Sequence, residues 1–254
     1  YSAQNLLVEI VESDSNNLFA RQLLCFTYKE LWPFVSQDSK DIETVNYVTK
    51  TTRSVDPTAT EGLICESIKL IVNGKFTEAK GNIDYTLNLP ANSNNWMLYG
   101  LKAEMIAADG DFRIAAMYED KMKQLWPEGI KPIVDQAYMQ IKNNDFPSAE
   151  KNLQEAIKRY PKHKRAQVLY GITLFQGFQK LDDSIRNLTS ALNLNSQIHR
   201  MIESEGYFNL ALIFEMKKDF NKTKSYADMA FKLKKKKKEI AALTQKLGGD
   251  TKTP

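Results

Sequence analysis

The sequence predicts an all-α fold built from stacked pairs of antiparallel helices. The main evidence is a repeat, because an aromatic residue, a small residue and a proline each recur after 34 residues, at Phe112 and Phe146, Ala115 and Ala149, and Pro127 and Pro161. Self-similarity at such a period is typical of repeat architectures. The composition agrees, since 43% hydrophobic residues can form a continuous core and 26% charged residues can cover it. No stretch alternates apolar and polar residues for long enough to propose a sheet.

The length of the period explains the landmarks. Thirty-four residues hold two helices of about a dozen residues and two short turns. One such pair cannot bury its apolar stripe alone, so it must stack on a neighbouring pair. The small residue lies where two helices approach closely, and the proline ends the unit because it cannot continue a helix.

These landmarks resemble those of the tetratricopeptide repeat. The clearest copy, residues 130–163, carries Ile133, Ala137, Phe146, Ala149 and Pro161 at the positions of the family pattern. The resemblance covers roughly residues 60–237 and implies a right-handed superhelical solenoid of stacked helix pairs. It also implies a protein that holds partners rather than one that catalyses a reaction.

Five repeats follow from this pattern, at residues 60–93, 96–129, 130–163, 164–199 and 204–237. In the fourth repeat, Gly171 and Ser184 are one residue too far apart, which predicts an insertion in the turn at 177–180. In the last repeat, Thr223 takes the position of the small residue and the proline is absent.

The two ends of the chain are less regular. In residues 1–59, three segments read as amphipathic helices (4–11, 17–34 and 41–51), and we favour degenerate repeats over a separate capping bundle. At the other end, Leu233, Ile240, Leu243 and Leu247 are spaced as one helical stripe, which predicts a capping helix within residues 238–254, followed by a frayed tail.

Charge is distributed unevenly along the chain. Residues 1–127 contain 12 Lys and Arg against 17 Asp and Glu, a net charge of −5, and the remainder carries +9. Such a dipolar rod can steer partners or associate head to tail with itself. A basic patch concentrates positive charge near the C-terminal end, at Lys234, Lys235, Lys236, Lys237 and Lys238. We favour a solvated helix face over an anionic partner there, and no nucleic-acid partner, because the run lacks interleaved aromatic residues.

The sequence contains no pattern for catalysis, a cofactor or a metal. It has no GxSxG, no phosphate-binding glycine loop and no HExxH, and its two histidines, His163 and His199, have no neighbouring carboxylate or nucleophile pattern. We therefore predict that the protein is not an enzyme. Cys25 and Cys65 form no CxxC pattern and are expected to be buried thiols, or a disulfide if the chain is exported.

Sequence features also bear on location. No hydrophobic run approaches the roughly 20 residues that span a membrane, and no signal peptide stands at the start. The first residue is Tyr1, so we expect a processed chain or a piece of a longer one. These features favour the cytoplasm, with the periplasm open if an upstream signal has been removed.

The family resemblance also implies where a partner would bind. In tetratricopeptide repeats the first helix of each unit lines a concave groove. The positions that match in the last three repeats are Lys131, Val134, Tyr138, Ile141, Arg165, Val168, Ile172, Phe175, Phe208, Asn209 and Leu212. In the first two repeats they are Ile64, Ile68, Ile71 and Glu104. Each apolar member lies either in the groove or in the core, because an error of one residue turns a helix by about 100°.

The chemistry of this set indicates the kind of partner. Only Lys131, Arg165 and Asn209 could clamp a terminal carboxylate, and most other members are aliphatic or aromatic. The set therefore favours an apolar or amphipathic peptide or helix, with Tyr138, Phe175 and Phe208 as the strongest contacts.

The leading hypothesis is a non-catalytic scaffold that assembles a multiprotein complex. The Lys- and Asn-rich composition favours a bacterial source, and the family analogy then suggests a secretion, pilus or motility machine. Two alternatives stay open, namely a regulatory or sensory module of a longer protein and a structural protein that self-assembles through its oppositely charged ends.

Overall fold

The structure is a computed structural model that describes residues 2–31, 39–196, 198 and 200–233. Within these residues it contains α-helices, one short 3-10 helix at Pro90–Asn92 and no strand, so the predicted all-α class is confirmed. The chain divides into two compact units, Tyr1–Pro127 and Glu128–Pro254. None of the described helices is both long and apolar enough to cross a membrane.

The described residues of the first unit form seven α-helices. They are α1 (Ser2–Ser13), α2 (Leu18–Leu31), α3 (Ser39–Val55), α4 (Thr60–Val72), α5 (Phe76–Leu87), α6 (Trp96–Ala108) and α7 (Phe112–Leu125). The core joins the irregular helices α2 and α3 to α4, α5 and α6, through side chains such as Leu24, Val48, Ile68, Ile83 and Leu101. The segments predicted as helices at 4–11 and 41–51 lie within α1 and α3, and the one predicted at 17–34 begins with α2.

The second unit contains three helix pairs among its described residues. They are α8 (Ile130–Lys142) with α9 (Phe146–Arg159), α10 (Lys164–Gln176) with α11 (Leu181–Leu192), and α12 (Arg200–Met216) with α13 (Phe220–Lys232). Their core runs from Ile133 and Leu153 through Leu169 and Leu188 to Leu210. Each pair therefore contributes apolar side chains to one continuous core, as a repeat fold requires.

The landmarks of the repeat occupy equivalent places in both units. The second helix of a pair begins at the aromatic residue in four of the five pairs, at Phe76, Phe112, Phe146 and Phe220. The small residue three positions later has no exposed surface in any pair, at Ala79, Ala115, Ala149, Ser184 and Thr223. A small side chain is required there because the partner helix leaves no further room. In the fourth pair the approach is direct, because Ser184 Oγ donates a hydrogen bond to the Gly171 carbonyl at 2.7 Å, and a Cβ on Gly171 would lie 2.6 Å from Cγ of Leu188.

The turn inside each pair uses one left-handed residue. These residues are Gly74, Gly110, Asn144, Gln179 and Lys218, with φ of 73°, 90°, 61°, 54° and 59°. In three turns the backbone N–H three residues after the helix end donates to the carbonyl five positions earlier, as in Asp145 to Gln140 at 2.8 Å. This is the Schellman arrangement that ends helices. Three of the second helices then begin with an aspartate cap, at Asp111, Asp145 and Asp219.

The predicted insertion in the fourth repeat is present. Four residues, 177–180, separate α10 from α11, whereas three residues, 143–145, separate α8 from α9. The hydrogen bond that closes this turn spans one residue more than in the other turns, because the backbone N–H of Lys180 donates to the carbonyl of Leu174, six positions earlier.

Three sequence predictions fall outside the described residues. They are the basic patch at Lys234–Lys238, the capping helix and tail at 238–254, and the end of the helix predicted at 17–34.

Candidate functional site

The candidate site is a surface of the second unit that we call the first-helix face. It consists of the side chains on one side of α8, α10 and α12, the first helices of the three pairs. On α8 the residues 131, 135, 138 and 142 share a side, because positions three and four apart lie above one another on a helix. The same spacing groups residues 205, 209 and 212 on α12. Contacts between these helices, given below, bring the stripes together.

The predicted site residues separate into a core group and an accessible group. Six apolar members are at most 8% exposed and pack in the core: Val134, Ile141, Val168, Ile172, Phe175 and Phe208. For each of these residues the sequence had left open whether the side chain lies in the groove or in the core. The partly exposed members are Lys131, Tyr138, Arg165 and Leu212. The surface that a partner can reach is therefore aromatic and charged as well as aliphatic.

Two cations share a buried carboxylate at one end of this face. Lys131 Nζ lies 2.6 Å from Asp135 Oδ2, and the Arg165 guanidinium pairs with Asp135 Oδ1. The second pair joins α8 to α10. Asp135 has little contact with water, so its negative charge is held in place by the two cations.

Tyr138 lies next to this cluster. Lys142 Nζ is 5.1 Å from the centre of its ring and Arg165 Cζ is 5.9 Å away, both within the range of cation–π contacts. Burial raises the pKa of the Tyr138 hydroxyl, and the negative charges of Glu205 and Asp135 raise it further, whereas Arg165 lowers it. Tyr138 therefore keeps a neutral hydroxyl at physiological pH.

Two further ion pairs connect the first helices. Lys142 Nζ lies 2.7 Å from Glu205 Oε1, which links α8 to α12. Lys164 Nζ lies 3.0 Å from Glu203 Oε1, which links α10 to α12. Both pairs are largely shielded from water, so salt screens them less than it screens surface pairs.

Asn209 has an internal role. Its Oδ1 accepts a hydrogen bond from Gln176 Nε2 at 2.8 Å, and its Nδ2 donates to the carbonyl of Glu205 at 2.7 Å. The side chain is only 1% exposed. Lys131 and Arg165 both form ion pairs with Asp135. The three residues that could have clamped a terminal carboxylate therefore all have partners within the protein.

His163 caps α10 at the edge of the first-helix face. Its Nδ1 accepts a hydrogen bond from the backbone N–H of Ala166 at 3.2 Å, so the ring must be neutral at that nitrogen. Burial lowers the pKa of His163, and the positive charge of Arg165 lowers it further. Both effects favour the form that can cap the helix.

The first unit carries a smaller cluster of the same character. Lys29 Nζ on α2 lies 2.7 Å from a carboxylate oxygen of Glu104 on α6 and 5.4 Å from the centre of the Phe26 ring. Phe26 in turn packs against Trp96 in a T-shaped pair with ring centres 5.8 Å apart. Ile64 and Ile68, which the sequence also placed in the groove or the core, have no exposed surface.

Sequence reasoning missed most of the charged partners. Asp135 could have been found, because Lys131 and Asp135 are spaced i, i+4 and such pairs meet on a helix. Glu205 could not, since it is 63 residues from Lys142 and only the stacking of three helix pairs brings them together.

The sequence matches no protein-family model and no curated protein. Solved structures do match. The APC/C hetero-tetramer Cut9–Hcn1 is similar at a TM-score of 0.85 and 13% identity, over 98% of this chain and 46% of that chain. A tetratricopeptide repeat protein from Parabacteroides merdae matches at 0.63 and 10% identity, over 97% and 91% of the two chains. YrrB, described as a TPR protein with an unusual peptide-binding site, matches at 0.53 and 12% identity, over 83% and 100%.

The chain therefore has the tetratricopeptide-repeat fold. The comparisons indicate no enzyme family. At these identities the likeness concerns the fold, and the chain spans less than half of the Cut9–Hcn1 chain that it matches.

Proposed function

We propose that the protein is a scaffold whose first-helix face binds an amphipathic peptide or helix of a protein partner and so assembles a multiprotein complex. The observation that carries this proposal is Tyr138, a partly exposed aromatic side chain with two cations close to its ring. Tyrosine and arginine are the residue types that most often dominate binding energies at interfaces. The peptide-binding site named for YrrB, a protein of the same fold, supports the same kind of ligand.

Charge indicates what the partner should carry beside its apolar anchors. In three of the four pairs on this face the cation is the more accessible member. The Lys142 side chain is 27% exposed and that of Glu205 is 5%, and the values for Arg165 and Asp135 are 25% and 5%. Solvent therefore meets mainly positive charge, which complements a peptide with acidic residues beside its apolar ones.

Leu212 extends the proposed surface on the third helix. It is partly exposed, and it lies on the same side of α12 as Glu205 and Asn209. Tyr138 and Leu212 would contact the apolar side of the peptide, with Lys131, Lys142 and Arg165 beside its acidic residues. On family resemblance, a bacterial secretion, pilus or motility machine is the kind of complex we favour.

The test uses peptides selected from a displayed random library on the intact protein. We expect enriched peptides to combine apolar and acidic residues, and the Tyr138→Ala variant to bind them roughly tenfold or more weakly. The matched control is Tyr160→Ala, because Tyr160 is an exposed tyrosine of the same unit that ends α9 and lies off the first-helix face. Circular dichroism confirms that both variants fold. Peptides that bind the wild type and Tyr138→Ala equally well would contradict the proposal.

A further inference from the structure

Cys25 and Cys65 form a disulfide bond in the first unit. The bond joins α2 to α4, and the Cα atoms are 5.6 Å apart, which is an ordinary distance for bonded cysteines. Neither cysteine has any exposed surface, and the surrounding core includes Leu24, Ile64 and Ile68. The chain has two cysteines in all, so no other pairing within it competes.

We propose that this bond is a permanent cross-link, formed by thiol oxidation during folding, and that the protein works in an oxidising compartment. Thiol–disulfide exchange requires an attacking thiol to reach one of the sulfur atoms. Because neither cysteine has any exposed surface in the folded unit, the bond is unsuited to a reversible redox switch. Disulfides of the cytosol are usually transient, catalytic or redox-sensing, whereas permanent ones belong to exported proteins.

The oxidation step has a defined chemistry. The thiolate of one cysteine attacks the disulfide of a thiol–disulfide oxidoreductase, which gives a mixed disulfide and releases one thiol of the oxidant. The second cysteine thiolate attacks that mixed disulfide, closes the bond between Cys25 and Cys65, and releases the second oxidant thiol. Two protons and two electrons leave the chain, and the oxidant is reduced to a dithiol. Since the packed sulfurs are inaccessible, the exchange must precede the packing of α2 against α4.

The location of the bond explains what it would stabilise. It holds α2, one of the irregular N-terminal helices, against α4, the first helix of the regular repeats. The same helix α2 supplies Phe26 and Lys29, which contact Trp96 and Glu104 on α6. The chain segment that the bond closes spans 40 residues and contains all of α3. The cross-link therefore limits how far the N-terminal helices can separate from the repeats.

The first test measures the thiols of the full chain in its own cells. Free thiols are trapped with an alkylating reagent at the moment of lysis, and the mass of the chain is measured without reduction. We expect an unalkylated chain that is two hydrogens lighter than its reduced form. A chain that is recovered with both cysteines alkylated would overturn the proposal.

A second test distinguishes a permanent cross-link from a switch. The purified oxidised protein is treated with dithiothreitol, with and without denaturant, and alkylated. We expect reduction in the denatured sample only, and equal rates in both samples would overturn the assignment as a permanent bond. The Cys25→Ser/Cys65→Ser variant should melt about 5–15 °C lower. The melting temperatures of the oxidised and the reduced wild-type protein are compared as well. Their difference reports the loss of the bond alone, because neither sample buries a serine in place of a cysteine.

Discussion

The side chains of the first-helix face differ in how far they reach water, and this difference has a physical origin. The Asp135 and Glu205 side chains are short and only 5% exposed, whereas the longer Lys142 and Arg165 side chains are 27% and 25% exposed. Long cationic side chains commonly bury their stems and keep their charge at the surface. A face built from ion pairs can therefore present a positive surface to a partner.

Ala149 allows a test of the repeat at the level of one residue. We expect Ala149→Leu to cost about 1–3 kcal/mol of unfolding free energy, because the site has no exposed surface and extra methyl groups would overpack it. Urea unfolding measures the change. The control is Lys151→Leu on the exposed side of the same helix, for which we expect little change. Equal stability of the two variants would contradict the packing.

His163 gives the second unit a predicted dependence on pH. An unfolded histidine has a pKa of about 6.5, and the folded value is lower, so the unfolded chain binds more protons in the interval between them. The stabilisation by neutral His163 is thus complete above about pH 6.5 and is lost as the pH falls below it. The comparison is with His163→Asn, which keeps a good cap without a titrating group. We expect the wild type to lose more stability than this variant on acidification, whereas parallel pH profiles would rule out the role of His163.

The turns between paired helices share one backbone conformation but differ in the residue type that adopts it. All five place one residue in the left-handed region, but glycine occupies that position only at Gly74 and Gly110. Asn144, Gln179 and Lys218 adopt the same conformation with a Cβ, which costs free energy. The helical pairing thus imposes the turn geometry even where the residue type does not favour it.

Lys218 allows this cost to be measured. We expect Lys218→Gly to be about 1 kcal/mol more stable than Lys218→Ala, because both remove the side chain but only glycine accepts φ of 59° without strain. The reverse experiment is Gly110→Ala, which should lose a similar amount, since open space around Gly110 leaves backbone conformation as the main cause. Thermal and urea unfolding give the differences. A glycine variant less stable than the alanine variant would show that chain entropy outweighs the strain.

At the scale of the whole molecule, the two compact units have separate cores. The core of the first unit extends from Leu24 to Met105, and that of the second from Ile133 to Phe214. The same boundary divides the charge, with a net of −5 for residues 1–127 and +9 for residues 128–254. A repeat boundary was predicted at residue 129, close to this division, but no local pattern in the sequence separates the five repeats into two groups.

Each unit is expected to fold by itself. We predict that fragments 1–127 and 128–254, produced separately, are both helical by circular dichroism and both unfold cooperatively, because each keeps its own core. The first fragment is prepared with its disulfide oxidised. An unfolded fragment, or one that unfolds without a cooperative transition, would show that the unit depends on the rest of the chain.

Local sequence patterns were sufficient for the helices and their pairing. Local patterns predicted the 34-residue spacing, the buried small residues such as Ala149 and the extra residue before Leu181. Each of these features acts within a single helix pair. The direction in which a first-helix side chain points was harder to predict. Val168 and Phe175 lie in the core, since the first helix is covered on more than one side. Because each residue turns the helix by about 100°, an error of one position is enough to confuse a buried side chain with an accessible one.

The long-range pairings followed from the tertiary structure. Lys142 meets Glu205, and Cys25 meets Cys65, across 63 and 40 residues of chain. No local pattern specifies such partners, because their distance depends on how successive pairs stack. The sequence thus determined a helical repeat protein with its turns and its small packing residues. The stacking decided which side chains remain accessible to a partner, because burial depends on every neighbouring helix at once.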